Sequence, residues 1–316
     1  MSDFSAFPEK WILPQGDAID NFIRWLGREH RGVFDAIRNS TVWFLNSIYG
    51  LLTLLPWWLL IALVVLAGYK VSKRLTVGVM YGAMIFCVGM FGMWFQMLET
   101  LSIVIAGVFI SLLLGFPLGV LVAITGRAQR VIRPILDLMQ TMPTFVYLVP
   151  AVMLFSVGKT PAVMATTIYS IVPIIRMTDH GIRHVDAEVV EAARAFGSNT
   201  MQTLIKVQIP QAVPTIMTGV NQTIMMAMSM VVTCALIGAN GLGMEILVAT
   251  NRTEMGRALL PGISIVFVAI ILDRLTQGII KTDPEDETMP VAAKRPGIIT
   301  RVLRSASAKG GVTHEQ

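Results

Sequence analysis

Long apolar stretches run through most of this chain, and they restrict it to very few folds. Runs of about 20 residues, the length a spanning helix needs, fall at 48–69, 77–95, 101–124, 136–157, 162–178, 213–237 and 258–280. Each is long enough, or nearly so, to cross a hydrocarbon core of about 30 Å as a helix. Backbone groups in lipid must satisfy one another, so a spanning segment is a helix or a strand of a closed barrel. No run alternates apolar and polar residues with a period of two, which excludes the barrel. The expected class is an all-α polytopic membrane protein. The 162–178 run is the shortest and contains Pro173, so its ends stay open. Composition agrees: 54% of the 316 residues are apolar and only 14% are charged, against about a quarter in soluble domains.

Positive charge sets the orientation. One set of connections holds Lys70, Lys73, Arg74, Arg127, Arg130, Arg133, Arg176, Arg183, Arg194 and Lys206; the other holds only Lys159, Arg252 and Arg257. Short cytoplasmic connections are enriched in Lys and Arg, so the richer set lies in the cytoplasm. Seven spans then put the N-terminus outside and the C-terminus inside. The net charge of +5 and pI near 9.4 follow from loops facing anionic lipid and imply no nucleic-acid partner. Cys87 and Cys234 both fall inside expected spans, where they serve as small packing residues and no disulfide is expected. The first 47 residues lack a basic start followed by an apolar core, so no cleavable leader is expected.

The segment 1–47 has its own character. From Asp17 to Asn46, residues Ile19, Phe22, Ile23, Leu26, Val33, Phe34, Ile37 and Val42 share one side of a helix. Asp20, Arg24, Arg28, Arg31 and Arg38 lie largely on the other. This pattern predicts an amphipathic helix on the outer membrane surface, interrupted near Gly32. All six tryptophans, Trp11 to Trp94, precede the third apolar run, and interfacial anchoring accounts for them. At the other end, 282–316 pairs an acidic patch, Asp283 to Glu287, with a basic stretch, Lys294 to Lys309. A disordered cytoplasmic tail is expected there.

Between the fifth and sixth apolar runs lies a polar stretch, 176–212. Asp186 is placed to cap a helix, because its carboxylate can accept from free N–H groups of the first turn. Val189, Ala193 and Phe196 then recur at i, i+4 and i+7 and form a narrow apolar face. Gly197 suits the left-handed residue that ends a helix. Ser198 can cap a second short helix, Asn199 to Val207, which Pro210 would close. Ala192 and Ala193 leave a shallow surface that a partner could approach closely.

Glu191-Ala192-Ala193, then Gly197, Val207, Ile209 and Pro210, resembles the EAA loop of binding-protein-dependent ABC importers, with every spacing kept. Two conservative aliphatic differences occur, at Val207 and Ile209. The resemblance continues: Gln140-Thr141-Met142-Pro143-Thr144-Phe145-Val146-Tyr147-Leu148-Val149-Pro150, Val190 to Gly197, and Ile237-Gly238-Ala239-Asn240-Gly241-Leu242-Gly243 are similar to the glycine betaine, proline betaine and choline importers. It implies a type I ABC importer permease fold, with two accessory spans at 48–95, a five-helix core at 96–281 and the EAA loop at 186–210. It also implies a bacterial cytoplasmic membrane and a second permease copy, expected as a homodimer. Two copies of a cytoplasmic ATPase that docks on the loop, and an external substrate-binding protein, complete the implied assembly. No G-x-x-x-x-G-K-[ST] run occurs, so this chain is not expected to be an enzyme; ATP and its Mg would sit on the partner ATPase.

The other motifs are weaker. Gly238 to Gly243 follows a membrane helix, so a tight external re-entry is expected in place of a dinucleotide loop. Gly78-x-x-x-Gly82 and Gly115-x-x-x-Gly119 permit close helix approach. His180 and His184 share a helical face without an acidic or thiol partner, so no metal site is expected. Polar or breakable positions inside spans mark a pathway: Gln140, Thr141, Pro143, Phe145 and Tyr147 in the fourth run, and Asn221, Gln222, Met225 and Ser229 in the sixth. Phe145 and Tyr147 offer the nearest aromatic faces for a quaternary amine, which binds by cation–π contact. Secondary transport, the alternative, would need inverted repeats and intramembrane carboxylates. Glu99, Asp137 and Asp273 fall near span ends and suit that role poorly. An ABC permease for another small solute, such as an amino acid, is the nearer alternative. No catalytic constellation supports a membrane enzyme.

Overall fold

A computed structural model describes residues 15–280, and every regular element among them is a helix. The expected tail at 282–316 and Trp11 lie outside the described residues. Three long helices form the centre: α5 (Trp94–Ile124), α8 (Lys159–Arg183) and α11 (Ile209–Ala235). Lipid supplies no hydrophobic drive for helices to meet, so contact area and small residues decide which ones do. On α5, Gly107, Ser111, Gly115 and Gly119 recur every fourth residue and so share one face. That face meets α8. The Ser111 hydroxyl lies 2.8 Å from the Gly107 carbonyl, 3.1 Å from the Thr167 carbonyl and 2.9 Å from the Ser170 hydroxyl. On the far side of α8, Gly219 of α11 packs on Met177 and Pro173.

Among the described residues, four helical runs are each long and apolar enough to cross a membrane: α5, α8, the run ending in α11, and α13 (Met255–Ile280). The remaining apolar stretches are not the single straight helices expected from length. The 48–69 run is split between α2 (Arg31–Leu54) and α3 (Trp57–Ser72), bent by 95°. The 136–157 run is split between α6 (Gly126–Thr141) and α7 (Phe145–Phe155), bent by 101°. Both splits have the same cause. The residue before a proline is pushed out of the helical region, and Leu55 (ψ 121°) precedes Pro56 as Met142 (ψ 135°) precedes Pro143. Counting each bent pair as one span gives up to six.

The 77–95 run is also divided. Gly92 takes φ +74°, ending the 16-residue α4 (Leu75–Met90), and Trp94 opens α5. α3 and α4 form a close hairpin, since a Cβ on Gly78 would lie 2.4 Å from the Val65 carbonyl oxygen. At the N-terminus, α1 (Gln15–Glu29) ends at His30, two residues before the interruption expected at Gly32, and α2 continues without pause into the first apolar run. After α11 the expected re-entry turn holds Gly238 (φ +78°) and Gly241 (φ +125°). It then adds a ten-residue helix, α12 (Leu242–Asn251). The Leu242 N–H donates to the buried Thr100 hydroxyl of α5 at 2.9 Å, which draws this turn onto the core.

Candidate functional site: the loop between α8 and α11

α8 runs helically to Arg183, so Arg176, Asp179, His180 and Arg183 belong to it and not to the polar loop expected from 176 onward. The loop then turns into α9 (Ala187–Ala195). Asp186 caps it as expected, its Oδ1 accepting from the Glu188 N–H at 2.9 Å. The far end closes with two reversed bonds: the Ser198 N–H donates to the Ala193 carbonyl at 3.1 Å and the Gly197 N–H to the Arg194 carbonyl at 2.9 Å. This is a Schellman closure, which needs a left-handed residue at its centre; Gly197 takes φ +85°.

The second half of the loop departs from expectation in two ways. Asn199, not Ser198, is the cap of α10 (Thr200–Thr203). Its Oδ1 accepts from the Gln202 N–H at 2.8 Å while its own N–H donates to Gln202 Oε1 at 3.0 Å. Such a reciprocal box satisfies two free donors at once. Pro210 does not close this helix. α10 passes through a π turn, Leu204–Gln208, directly into α11, with Pro210 in its first turn. A proline ring crowds the carbonyl four residues earlier, here Lys206. The wider π turn opens the helix at that point, and Pro210 has no N–H to leave unpaired. Proline at the start of a helix is tolerated for the same reason.

The loop is anchored on one side only. Thr203 and Leu204 are buried, and Leu204 packs with Ala123, Ile174, Ile182, Ala212 and Ile216. Val207 and Ile209 are half-buried, and Ile209 joins that cluster. On the outer side Glu191, Ala192 and Pro210 are exposed and Ala193 is half-buried. Four apolar side chains stand out with them: Val189, Phe196, Met201 and Ile205, with Phe196 at 92% exposure. Local caps therefore set the backbone of a small surface that buries almost nothing of itself. The Glu191 carboxylate has no ion-pair partner among the described residues.

The structure distributes the expected pathway residues among different surroundings. Gln140 and Thr141 end α6 exposed, Pro143 lies at the 101° break, and Phe145 is exposed at the start of α7. Tyr147 is buried: its hydroxyl donates to the Met139 carbonyl across the break, and its ring centroid lies 6.3 Å from that of Tyr169. Asn221 is tied to α13, donating to Asp273 Oδ1 at 2.8 Å and accepting from the Thr276 hydroxyl at 2.7 Å. Gln222, Met225 and Ser229 are exposed at a spacing that keeps them on one face of α11. The structure thus brings these three together on an open face and uses Tyr147 and Asn221 as internal ties. The rings of His180 and His184 stack at 3.9 Å. No group of three potential metal ligands occurs among the described residues.

Sequence reading missed the charged ties between helices. Lys159 at the head of α8 pairs with Glu99 of α5 at 2.9 Å, and its Nζ lies 5.6 Å from the Tyr49 ring centroid. Near the other end of α8, Asp179 is 5% exposed and meets Arg183 at 2.6 Å and Arg133 of α6 at 3.5 Å. The signal was present as Arg133-x-x-x-Asp137 and Arg176-x-x-Asp179-x-x-x-Arg183, which put charges on single helical faces.

Comparison with known proteins places this geometry. The family model for the binding-protein-dependent transport system inner membrane component matches residues 115–281. The chain is 42% identical over 268 residues to the glycine betaine transport system permease protein OpuAB of Bacillus subtilis (strain 168), covering 84% of this chain and 94% of that protein. It is 42% identical over 270 residues to the glycine betaine/proline betaine transport system permease protein ProW of Escherichia coli (strain K12), covering 85% and 76%. Among solved structures it resembles the inward-facing MetNI methionine ABC transporter with a TM-score of 0.54 and 21% identity, over 58% of this chain and 92% of that one. This last likeness concerns the fold alone.

Proposed function

This chain belongs to the binding-protein-dependent transport system inner membrane component family, and from that membership we propose that it carries glycine betaine or a related quaternary amine inward, driven by a separate ATPase. It is a multi-pass permease subunit with the type I importer fold. The substrate class rests on relatives named for glycine betaine at 42% identity over most of the chain. The observation that carries the energy source is the α9–α10 loop, an exposed apolar surface around Phe196 on a chain with no ATP-binding run of its own.

In this reading two ATPase copies hold ATP and Mg, and each docks on one loop through Val189, Phe196, Met201 and Ile205. Glu191 pairs with a basic group of the ATPase or holds the docked helix turn. The loop faces the cytoplasm; the shorter apolar α4 adds a seventh crossing to the six, which puts the N-terminus outside and the C-terminus inside. A second permease copy covers the open α11 face, where Gln222, Met225 and Ser229 line the passage. The exposed Phe145 at the α6–α7 break supplies an aromatic face to a quaternary ammonium. A passage with few such faces holds its cargo weakly, which suits a permease supplied by a high-affinity external binding protein.

Reconstitution in liposomes tests this, with the ATPase and ATP inside and the binding protein and labelled glycine betaine outside. ATP-dependent uptake is the expected result. Uptake by this chain alone on a sodium or proton gradient would overturn it. ATP-dependent uptake of a sugar or metal instead would remove only the substrate.

A further inference from the structure

α6 is held to the rest of the molecule differently from its neighbours. Leu136 is its only buried side chain, whereas α8 buries most of its length. Leu136, with Ile132 and Met139, packs on Ile171, Val172 and Ile175 of α8, and beside that patch two charge pairs cross between the helices. Arg133 meets Asp179 at 3.5 Å, and Asp137, one turn further along α6, meets Arg176, one turn back along α8. As numbers rise on α6 they fall on α8, so the two helices run antiparallel here. Each contributes one acid and one base, and the two rungs cross in opposite senses. A one-turn slip of either helix would set Arg133 against Arg176, so this pattern specifies a single register.

The inner rung is built into the core. Asp179 is 5% exposed, and its other oxygen accepts from Arg183 Nε at 2.6 Å. Arg183 in turn donates to the Val122 carbonyl of α5 at 2.6 Å. One carboxylate thus joins α5, α6 and α8 within a turn of the end of α8, where the α9 loop begins. The other end of α6 leads into the Met142–Thr144 break.

Two further observations bear on the space around this joint. A cavity of about 440 Å³ opens beside it, lined by Arg133, Leu136, Asp137, Ile175, Arg176 and Asp179 among others. On its wall, Arg176 Nε is buried without a hydrogen-bond partner. Buried polar atoms are ordinarily paired, and a shift of the side chains around the cavity would let this one find a partner.

We propose that the Arg133–Asp179 and Asp137–Arg176 rungs form a charge clamp that couples the α9–α10 loop to the α6–α7 break. Displacement of the loop by an ATPase travels along α8 and is delivered to α6 through the clamp, which moves the segment Gln140 to Phe145. The clamp rests on the reading of the loop as the ATPase socket. The four side chains are positioning residues; none of them needs to touch cargo.

The test uses the full complex in liposomes and reads three quantities: ATPase association, ATP hydrolysis stimulated by loaded binding protein, and uptake. The variants are Arg133→Gln, Asp137→Arg, Arg176→Asp and the double swap Asp137→Arg/Arg176→Asp. The outer rung is the more exposed of the two, so its single variants are expected to insert and assemble. Each single variant should bind ATPase normally but lose at least ~5-fold in uptake per ATP hydrolysed, the low end of usual coupling between sites. The double swap restores opposite charges across the rung and should recover most of that loss. Wild-type uptake per ATP in the single variants would overturn the clamp. So would a double swap that assembles yet stays uncoupled. Loss of ATPase association or insertion in both Arg133→Gln and Asp137→Arg would make the rungs purely structural and also overturn it. Failure of the socket reading looks different: Gly197→Val and Phe196→Ala would leave ATPase association intact, whatever the rung variants do.

Discussion

Between α5 and α8, a Cβ added to Gly115 would lie 2.4 Å from Ile174 Cγ2, and one added to Gly119 would lie 2.6 Å from Thr178 Cβ and 2.9 Å from the Ile175 carbonyl oxygen. Around Gly197 in the α9–α10 loop, an added Cβ would meet no heavy atom within 4 Å. The first pair removes side chains so that two helices can touch. The second position has unlimited space and is constrained only by its φ of +85°. The same residue type therefore builds the core in one region and a free-standing surface in the other. A substitution should break different properties in the two places.

The largest effect is expected in the core. Gly119→Leu forces a branched side chain against a rigid carbonyl and a packed helix, a severe case of overpacking that costs about 3 kcal/mol. Thermal unfolding in detergent should show a lowered midpoint, with poor recovery of inserted protein. A variant as stable as wild type would mean that α5 and α8 do not meet as closely as described. Gly197→Val comes next. A β-branched residue in the left-handed region costs about 1–2 kcal/mol, confined to the loop. Insertion should persist while ATPase association and uptake are lost; normal transport with normal association would show that the loop is not the socket.

Asn199→Ala removes one side of the reciprocal cap, worth about 1 kcal/mol. It should loosen α10, with a moderate fall in ATPase association measured by co-purification. Unchanged association would show that α10 need not be rigid for docking. The smallest effect on stability is expected for Phe196→Ala. At 92% exposure this ring contributes little to the fold, so the unfolding midpoint should stay within about 0.5 kcal/mol of wild type, as for other surface changes. Its effect on docking should be disproportionate, since an aromatic anchor at an interface is commonly worth about 2 kcal/mol or more. A stability loss as large as that of Gly119→Leu would erase the distinction between the two regions.

Much of the loop was legible beforehand. Asp186 and Gly197 act as their local chemistry predicts, because a cap and a left-handed turn involve only residues two to five apart. Ser198 and Asn199 are both good caps by residue type, and Gln202 completes the box only with Asn199. Pro210 is expected to end a helix because proline usually does; it instead stands in the first turn of α11, where the π turn ahead of it relieves the crowding at the Lys206 carbonyl. The pathway set was legible as a list of polar positions but not as a surface. Tyr147 and Asn221 turn inward because Met139, Asp273 and Thr276 are there to receive them.

The sequence by itself determined the class of the molecule, the helical state of its apolar runs and the shape of the α9 turn. Each is a sum over neighbouring residues, so hydrophobicity and backbone preference suffice. The tertiary structure decided which small residues became contact surfaces and which charged side chains became joints. The spacing of Gly115 and Gly119 permits a close approach, but that α8 is the helix they meet is decided only by the packing. Arg183 reaches Val122 across 61 residues of chain and Arg176 reaches Asp137 across 39. Pairings over that distance depend on how whole helices are placed against one another, which no local pattern encodes.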